Sequence, residues 1–244
     1  MNKYPFSSKE EELTKMFDNI SSKYDFLNHI LSFGIDFIWR KKVIELLTQF
    51  SPKKNIQKVL DLATGTGDLA LLIAKKFHKT YVIGLDPSKE MLRIARNKIK
   101  DNLLERRIQF IQGYSQNLPF ENATFDVVTI SFGVRNFQHF HLSFKEIHRI
   151  LKPMGILEIL EFSKPSNPYI KKFYHFYSHF IIPRIGNFLS KNNFAYNYLQ
   201  ESIKSFYYCG NKMKKFLKYS GFNPIYSQKL TFGIVSIYLS KKII

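Results

Sequence analysis

The chain of 244 residues has a single cysteine, Cys209, and no apolar run near the roughly 20 residues that a membrane-spanning helix needs. One cysteine excludes an internal disulfide and a cysteine-based metal site, and we expect no bound metal. The segment from Met1 to Phe6 lacks the apolar core of a secretory signal peptide. These absences favour a protein of the reducing cytoplasm.

Acidic residues are also scarce, with 19 Asp and Glu against 37 Lys and Arg and a formal net charge of +18. An excess of this size suits contact with nucleic acid or with an anionic membrane surface. The lysines are scattered rather than gathered in blocks, however, and Lys, Asn, Ile and Phe are abundant throughout. That pattern is equally typical of a biased genome composition, so the charge alone assigns no partner.

Only 11 glycines are present, and two of them stand in a turn suited to a nucleotide-like ligand. The apolar run from Val59 to Leu62 predicts a strand that ends at Thr64-Gly65-Thr66-Gly67, and residues 68–74 predict an amphipathic helix. Strand, glycine turn and helix form the first half of a βαβ unit, in which backbone N–H groups at the helix start meet the ligand. The spacing Gly65-x-Gly67-x-x-Ala70 also fits the dinucleotide fingerprint, so the turn alone leaves the ligand open.

Two acidic residues make the pattern more specific. Asp61 lies four residues before Gly65, a spacing that resembles the first motif of class I S-adenosylmethionine-dependent methyltransferases. Residues 81–86 predict a second buried strand ending in Asp86, whose carboxylate can accept both hydroxyls of a ribose. The continuation Asp86-Pro-Ser-x-x-Met-Leu92 is similar to the same class.

The following segments alternate between predicted strands and helices. Strands are predicted at 107–112, 125–131 and 156–161, with a helix at 141–151 and a turn at 152–155. This alternation predicts a parallel sheet with right-handed crossovers, whose ligand crevice lies at the carboxyl ends of the strands. Tyr114 and Ser115 follow the third strand and are therefore candidates to flank an adenine ring.

Both ends of the chain depart from this alternation. A helix at 9–20 is followed by residues 23–34, in which aromatic, acidic and amide side chains show neither helix nor strand periodicity, and then by a helix at 37–50 that contains Trp39. After Ser163 the chain is rich in Phe, Tyr and His. It closes with a helix at 212–220 and strands at 222–228 and 231–240.

Several motifs, spread over nearly the whole chain, resemble the ubiquinone/menaquinone biosynthesis C-methyltransferases. They are Tyr24-Asp25-x-x-Asn28-x-x-Leu31-Ser32 with Trp39, Ile130-Ser-Phe-Gly-Val-Arg-Asn136, Arg149-Ile-Leu-Lys-Pro-Met-Gly155, Leu160-Glu-Phe-Ser-Lys-Pro165, Pro183-Arg-Ile-Gly186 and Tyr198-Leu-x-Glu-Ser-Ile203. The chain departs from the family pattern at three positions. Leu27 replaces a methionine, Asp36 stands where histidine is common, and Tyr114 offers stacking where Asp or Asn usually binds the adenine.

The resemblance implies an α/β protein with the Rossmann-like class I methyltransferase fold. We expect a seven-stranded, mostly parallel sheet with a C-terminal antiparallel hairpin, an N-terminal helical lid and a helical insertion after strand five. One domain would span residues 1–244, comprising the lid (1–50), the cofactor-binding core (51–162), the aromatic-rich insertion (163–209) and the closing helix and strand pair (210–244).

The resemblance also implies S-adenosylmethionine as cofactor and a prenylated hydroquinone, demethylmenaquinol or a benzoquinol, as the methyl acceptor. We expect Arg135 and Asn136 to polarise the hydroquinone oxygen and Asp25 to accept a proton, while a structural ion pair is the alternative role of Arg135. Tyr24 either contacts substrate or packs on the core. The expected cofactor-binding residues are Asp61, Gly65, Thr66, Gly67, Asp86, Tyr114, Ser115 and Ser131.

Other functions are less well supported by the residues. Ser131-Phe-Gly-Val134 is not the Asn/Asp-Pro-Pro-aromatic motif of nucleic-acid amino methylation, and no RNA-reading motif is present, so we expect no nucleic-acid partner. A cofactor-binding scaffold subunit and an NAD-dependent oxidoreductase are the remaining alternatives. We expect a cytoplasmic protein, and an aromatic tract at residues 171–182 either touches the inner face of the membrane or packs on the sheet. A second copy of the chain is a further candidate partner.

Overall fold

The computed structural model describes residues 8–51, 56–176 and 194–243, except for the side chains of residues 173–176 and 194–197. A seven-stranded sheet runs in the order β3-β2-β1-β4-β5-β7-β6. Strands β1 to β5 are parallel, and β7 is antiparallel to both β5 and β6. The predicted sheet and its closing antiparallel hairpin are therefore confirmed. The strands are β1 Lys58–Leu62, β2 Tyr81–Asp86, β3 Ile108–Gln112, β4 Phe125–Ser131, β5 Leu151–Phe162, β6 Phe222–Leu230 and β7 Val235–Lys242.

Helices cover both faces of this sheet. They are α1 Ser8–Leu31, α2 Ile35–Phe50, α3 Asp68–Lys76, α4 Lys89–Asp101, α5 Phe140–Ile150, α6 Pro168–Phe176, α7 Phe194–Ser205 and α8 Asn211–Tyr219, with single 3₁₀ turns at Val134–Asn136 and Thr231–Gly233. Alternate strand residues supply two separate cores, as expected for buried parallel strands. Val59 and Val127 belong to the core that includes α2 and α3, whereas Leu60 and Val128 belong to the core that includes α5 and α8.

Three predicted segments differ from the structure. Residues 23–31, predicted to be irregular, continue α1, because Ile20, Tyr24, Leu27 and Leu31 extend its apolar spacing of three and four residues. Residues 152–155, predicted to be a turn, lie within β5, where extra residues between the pairs Phe125–Leu151 and Val127–Ile156 bulge out of register. Residues 231–233 form a 3₁₀ turn rather than the start of a strand.

The aromatic tract falls largely beyond the structural description. Its first residues belong to α6, but the side chains from 173 onward, the chain from 177 to 193 and the motif at 183–186 lie outside the described residues. No helix in the described ranges is both long and apolar enough to cross a bilayer.

Candidate active site

The glycine turn after β1 faces open space at the carboxyl edge of the sheet. Gly65 and Gly67 have φ angles of 55° and 80°, in the left-handed region that favours glycine. A Cβ on Gly65 would meet no heavy atom within 4 Å, whereas a Cβ on Gly67 would lie 2.8 Å from Cζ of Phe110. Gly65 therefore leaves room for a ligand, and Gly67 permits close packing of the turn against β3.

Asp61 is hydrogen-bonded to the glycine turn. Its carboxylate is buried and accepts hydrogen bonds from the hydroxyls of Thr64, at 2.6 Å, and Thr129, at 2.8 Å. Burial raises the pKa of Asp61 to about 6, although both hydroxyls act in the opposite direction. The side chain thus links β1, the turn and β4, and it also lines the larger of two cavities at this edge.

Asp86 lies at the end of β2, on the other side of the turn. Its carboxylate accepts hydrogen bonds from the backbone N–H groups of Gly65 and Ser88, each at 2.9 Å. Burial raises the pKa of Asp86 to about 6, while these two hydrogen bonds lower it. The carboxylate lines the smaller cavity, where Tyr114 and Ser115 also lie. The Ser115 hydroxyl shares a 2.7 Å hydrogen bond with the hydroxyl of Ser143 on α5.

The two cavities adjoin each other at the glycine turn. The smaller cavity, of about 100 Å³, is lined by the predicted ribose and adenine contacts, and the larger, of about 450 Å³, is lined mainly by apolar side chains such as Trp39 and Phe162. Both are lined by Tyr24, Gly65, Ser131 and Phe132. The Ser131 Oγ is buried and has no hydrogen-bond partner within the described residues. The cleft that holds Asp86 therefore meets a mainly apolar cavity beside the Ser131 hydroxyl, which fits a ligand with a polar part and a reacting end.

Arg135 lines the larger cavity but is firmly held by protein groups. Its guanidinium NH1 lies 2.8 Å from Oε1 of Glu161 and donates a 2.6 Å hydrogen bond to the carbonyl of Phe132. Both charged side chains are almost fully buried, at 5% and 1% exposure. Burial works against the charge of Arg135, but Glu161 and two nearby phenols outweigh it, so its pKa is raised.

Two tyrosines surround this cation. The Tyr198 hydroxyl donates a 2.8 Å hydrogen bond to Oδ1 of Asn136. Burial raises the pKa of Tyr198, and it raises that of Tyr24 as well; in both cases Arg135 acts in the opposite direction. A hydrogen bond with Asn28 also lowers the pKa of Tyr24. The predicted residues Tyr24, Asn28, Arg135 and Asn136 are therefore brought together around the two cavities.

Asp25, in contrast, is directed toward the glycine turn. Its carboxylate accepts a 2.5 Å hydrogen bond from the Thr66 hydroxyl and forms a 2.7 Å ion pair with Lys98 of α4. Lys98 also pairs with Asp68 at the start of α3. These contacts favour a role for Asp25 in tethering α1 to the turn.

Two further acidic residues of α1 make comparable contacts that the sequence did not reveal. Asp18 accepts hydrogen bonds from the hydroxyl of Ser88, at 2.5 Å, and from the backbone N–H of Glu90, at 3.1 Å. Buried Glu10 accepts a 2.7 Å hydrogen bond from the amide of Gln116. In a helix, positions 10, 18 and 25 lie within roughly 80° of one another around the axis, so the three acids share one face. This spacing in the sequence was the signal that could have predicted their common role.

Comparison with known proteins matches nearly the whole chain to one family of enzymes. A model of the ubiE/COQ5 methyltransferase family matches residues 6–242. A demethylmenaquinone methyltransferase of Bacteroides fragilis is 40% identical over 98% of this chain and 96% of its own length. The ubiquinone/menaquinone biosynthesis C-methyltransferase UbiE of Wigglesworthia glossinidia brevipalpis is 40% identical over 95% of this chain and 91% of its own. A crystal structure of a SAM-dependent methyltransferase from Aquifex aeolicus superposes with a TM-score of 0.61 at 16% identity, covering 84% of this chain and 89% of its own.

Proposed function

The chain belongs to the ubiE/COQ5 methyltransferase family, and we propose that it transfers a methyl group from S-adenosylmethionine to a ring carbon of demethylmenaquinol, giving menaquinol. The observation that carries this proposal is the junction at Gly65 and Ser131, where the cleft that holds Asp86 and the predicted adenine contacts meets a 450 Å³ cavity with mainly apolar walls. A cofactor in the cleft and an apolar acceptor ring in the cavity can meet at this junction.

The residues of the cleft fit the cofactor. We propose that Gly65, Thr66 and Gly67 hold its amino-acid part, with Asp61 near the ammonium, and that Asp86 accepts the ribose hydroxyls. Tyr114 and Ser115 would flank the adenine, and Ser131 would lie near the sulfonium. Among the described residues, nothing fills the space before Gly65 and nothing bonds the buried Ser131 hydroxyl, and both facts support this placement. When bound, the cofactor supplies an electrophilic methyl group.

The ring carbon of a hydroquinone becomes a good nucleophile once an adjacent phenol has lost its proton. A free phenol has a pKa near 10, and a neighbouring cation lowers it by favouring the phenolate. Arg135 and Arg40 are cations that line the larger cavity; Arg40 pairs with two carboxylates, Asp36 and Asp68, whereas Arg135 lies beside Asn136, which accepts a hydrogen bond from Tyr198. We propose that Arg135 and Asn136 stabilise the developing charge on the hydroquinone oxygen. The ring carbon would then bond to the methyl group as the methyl–sulfur bond breaks and the neutral thioether leaves, and the same carbon would lose its proton to solvent so that the ring becomes aromatic again.

Asp25 is the least supported of the predicted catalytic residues. Its carboxylate is already engaged by Thr66 and Lys98. We propose that it positions the lid over the glycine turn rather than accepting a proton from substrate.

The apolar walls of the larger cavity suit the ring and the first part of a prenyl tail. Trp39, Phe132 and Phe162 contact one another edge-on or tilted, with ring centroids 4.8 to 6.4 Å apart, and so form a rigid aromatic wall. Holding the ring against this wall would orient the reacting carbon, and such positioning can lower a barrier by up to ~7–11 kcal/mol. Because a prenylated quinol partitions into lipid, we propose that the enzyme collects it at a membrane surface.

A benzoquinol of ubiquinone biosynthesis is the second candidate acceptor, since the name of the Wigglesworthia relative covers both quinones. A methyl-transfer assay separates the candidates. The purified chain, given S-adenosylmethionine with a tritiated methyl group, should label a short-tailed demethylmenaquinol analogue and leave total RNA unlabelled. Label in RNA, or in a benzoquinol alone, would contradict the proposal. NADH should not compete with S-adenosylmethionine for binding.

A further inference from the structure

Exposed apolar side chains, here called the rim, lie on two elements that line the larger cavity. Phe232, in the turn between β6 and β7, lines that cavity and yet is 78% exposed. Phe37 and Ile38, in the first turns of α2, are 47% and 62% exposed and adjoin cavity-lining Ile35 and Trp39 in sequence. The Trp39 indole N–H donates a 2.7 Å hydrogen bond to the Thr231 hydroxyl, so α2 and the Phe232 turn are neighbours.

The backbone is strained at two exposed phenylalanines of the cavity wall. Phe33 and Phe232 both line the cavity and have φ angles of 51° and 57°, in a region that bulky side chains rarely adopt. Such strain is retained where the surrounding structure or a function requires it. At Phe232 it presents an aromatic ring to the outside at the turn where the strand pair reverses direction.

Basic side chains adjoin the apolar ones on three elements. The Lys41 ammonium lies 4.6 Å from the ring centroid of Phe37. Exposed Lys229 lies beside the turn that holds Phe232. A Cβ built on Gly233 of that turn would be 3.5 Å from the Cδ of Lys229. Exposed Lys171 and Lys172 follow Ile170, another residue of the cavity wall. Aromatic and aliphatic groups next to lysines suit the headgroup region of an anionic bilayer.

We propose that this rim, formed by Phe37, Ile38 and Phe232 with their neighbouring lysines, docks the enzyme onto an anionic lipid surface and so opens the cavity toward the bilayer. The inference rests on the proposed quinol substrate and names the partner of that same site. The apolar side chains of the rim belong to α2 and the β6–β7 turn, so the rim shares only Lys171 and Lys172 with the predicted contact at residues 171–182. Lipid anions meet the lysines, and the apolar side chains enter the acyl boundary.

The test is sedimentation with vesicles of phosphatidylglycerol and phosphatidylethanolamine. The double variant Phe37→Glu/Ile38→Glu replaces residues that do not line the cavity, near a helix N-terminus where carboxylates are tolerated. Its partitioning onto these vesicles should fall by more than about tenfold relative to the unchanged chain. Turnover of a short-tailed, water-soluble quinol should stay the same, and turnover of a long-tailed quinol in vesicles should fall.

A matched control comes from Leu103, which is 88% exposed and has a φ of 54°, but precedes β3 at the opposite edge of the parallel sheet. Leu103→Glu should bind vesicles like the unchanged chain. A second rim variant, Phe232→Gly, relieves the backbone strain and should reduce vesicle binding without lowering the midpoint of thermal unfolding.

Three outcomes would overturn the inference: no vesicle binding by the unchanged chain, equal binding by the double variant, or an equal loss in Leu103→Glu. A dimer that the double variant converts to monomer, with vesicle binding intact, would assign the rim to a second copy of the chain instead. Failure of the proposed function is distinguishable, because it would abolish methylation of the short-tailed quinol by the unchanged chain.

Discussion

Replacing Arg135 by methionine should separate its chemical role from its structural one. The guanidinium and its partner Glu161 are both nearly fully buried, and their closest N and O atoms are 2.8 Å apart. Removing one member of a buried ion pair leaves the other charge uncompensated, at a cost of about 3–5 kcal/mol. For a chain of this size the unfolding midpoint should therefore fall by roughly 6–20 °C, since 1 kcal/mol corresponds to about 2–4 °C. Loss of activity in this variant alone would thus be ambiguous.

The double variant Arg135→Met/Glu161→Gln resolves the ambiguity. Glutamine removes the orphaned charge and keeps one acceptor oxygen for the backbone N–H groups of Phe162 and Arg135 that Glu161 now satisfies at 2.8 and 3.2 Å. Stability should return to within about 2 kcal/mol of the unchanged chain, the remainder reflecting one backbone N–H left without its acceptor. Denaturant unfolding measures this recovery.

Turnover should stay low in the double variant although stability returns. A cation next to a phenol lowers its pKa by about 1–3 units, and the charge of Glu161 places the effect at the lower end, so we expect a loss of roughly 10–100-fold at pH 7. The loss should shrink as the pH rises toward the free phenol pKa near 10. Recovery of turnover together with stability, or a loss that does not change with pH, would refute the polarising role.

Three further predictions concern the cofactor cleft. Asp86→Ala should weaken S-adenosylmethionine binding by about 1.5–3 kcal/mol, and unchanged affinity by calorimetry would exclude Asp86 from the site. Burial raises the pKa values of Asp61 and Asp86 to about 6, so both carboxylates become protonated as the pH falls through that value. The affinity for S-adenosylmethionine should therefore decline from pH 7.5 to pH 5. An affinity that does not change over this range would contradict the roles of both residues. Gly67→Ala should lower the unfolding midpoint through its clash with Phe110 and its positive φ. Gly65→Ala is strained by its φ of 55° but meets no atom of the described residues within 4 Å, so it should lower cofactor affinity more than stability; equal effects would remove the distinction.

The parts of the fold that were predictable are those with a local signal. Strand β2 has its predicted bounds, Tyr81–Asp86, because an apolar run and a terminal acid lie next to each other in the sequence. The second half of α1 was missed because Tyr24 and Asn28 obscure an apolar spacing that continues to Leu31. The bulge in β5 was taken for a turn, since Pro153 and Gly155 signal a break in either case.

The candidate site depends on contacts between residues far apart in the sequence, which local patterns do not specify. Glu161 was recognised as part of a family motif, but its pairing with Arg135 requires β4 and β5 to be neighbours in one register. The sequence left open whether Arg135 polarises the substrate or forms a structural ion pair, and the fold shows that its charge is compensated by Glu161. Ser131 was predicted from its place at a strand end, and only the structure shows that its hydroxyl is buried without a partner among the described residues.

The lid and the cofactor cleft are best regarded as one unit. Three acids on one face of α1 contact the segments that follow β1, β2 and β3: Asp25 meets Thr66, Asp18 meets Ser88, and Glu10 meets Gln116. The segments after β1 and β3 carry predicted cofactor contacts, and β2 ends in another, Asp86, next to the segment of Ser88. Glu10 and Gln116 themselves line the smaller cavity. Contacts of this kind become stronger as water is excluded, because the local dielectric falls. We therefore expect closure of α1 and completion of the cofactor site to occur together. The predicted boundary between lid and core at residue 50 then divides two segments that act jointly.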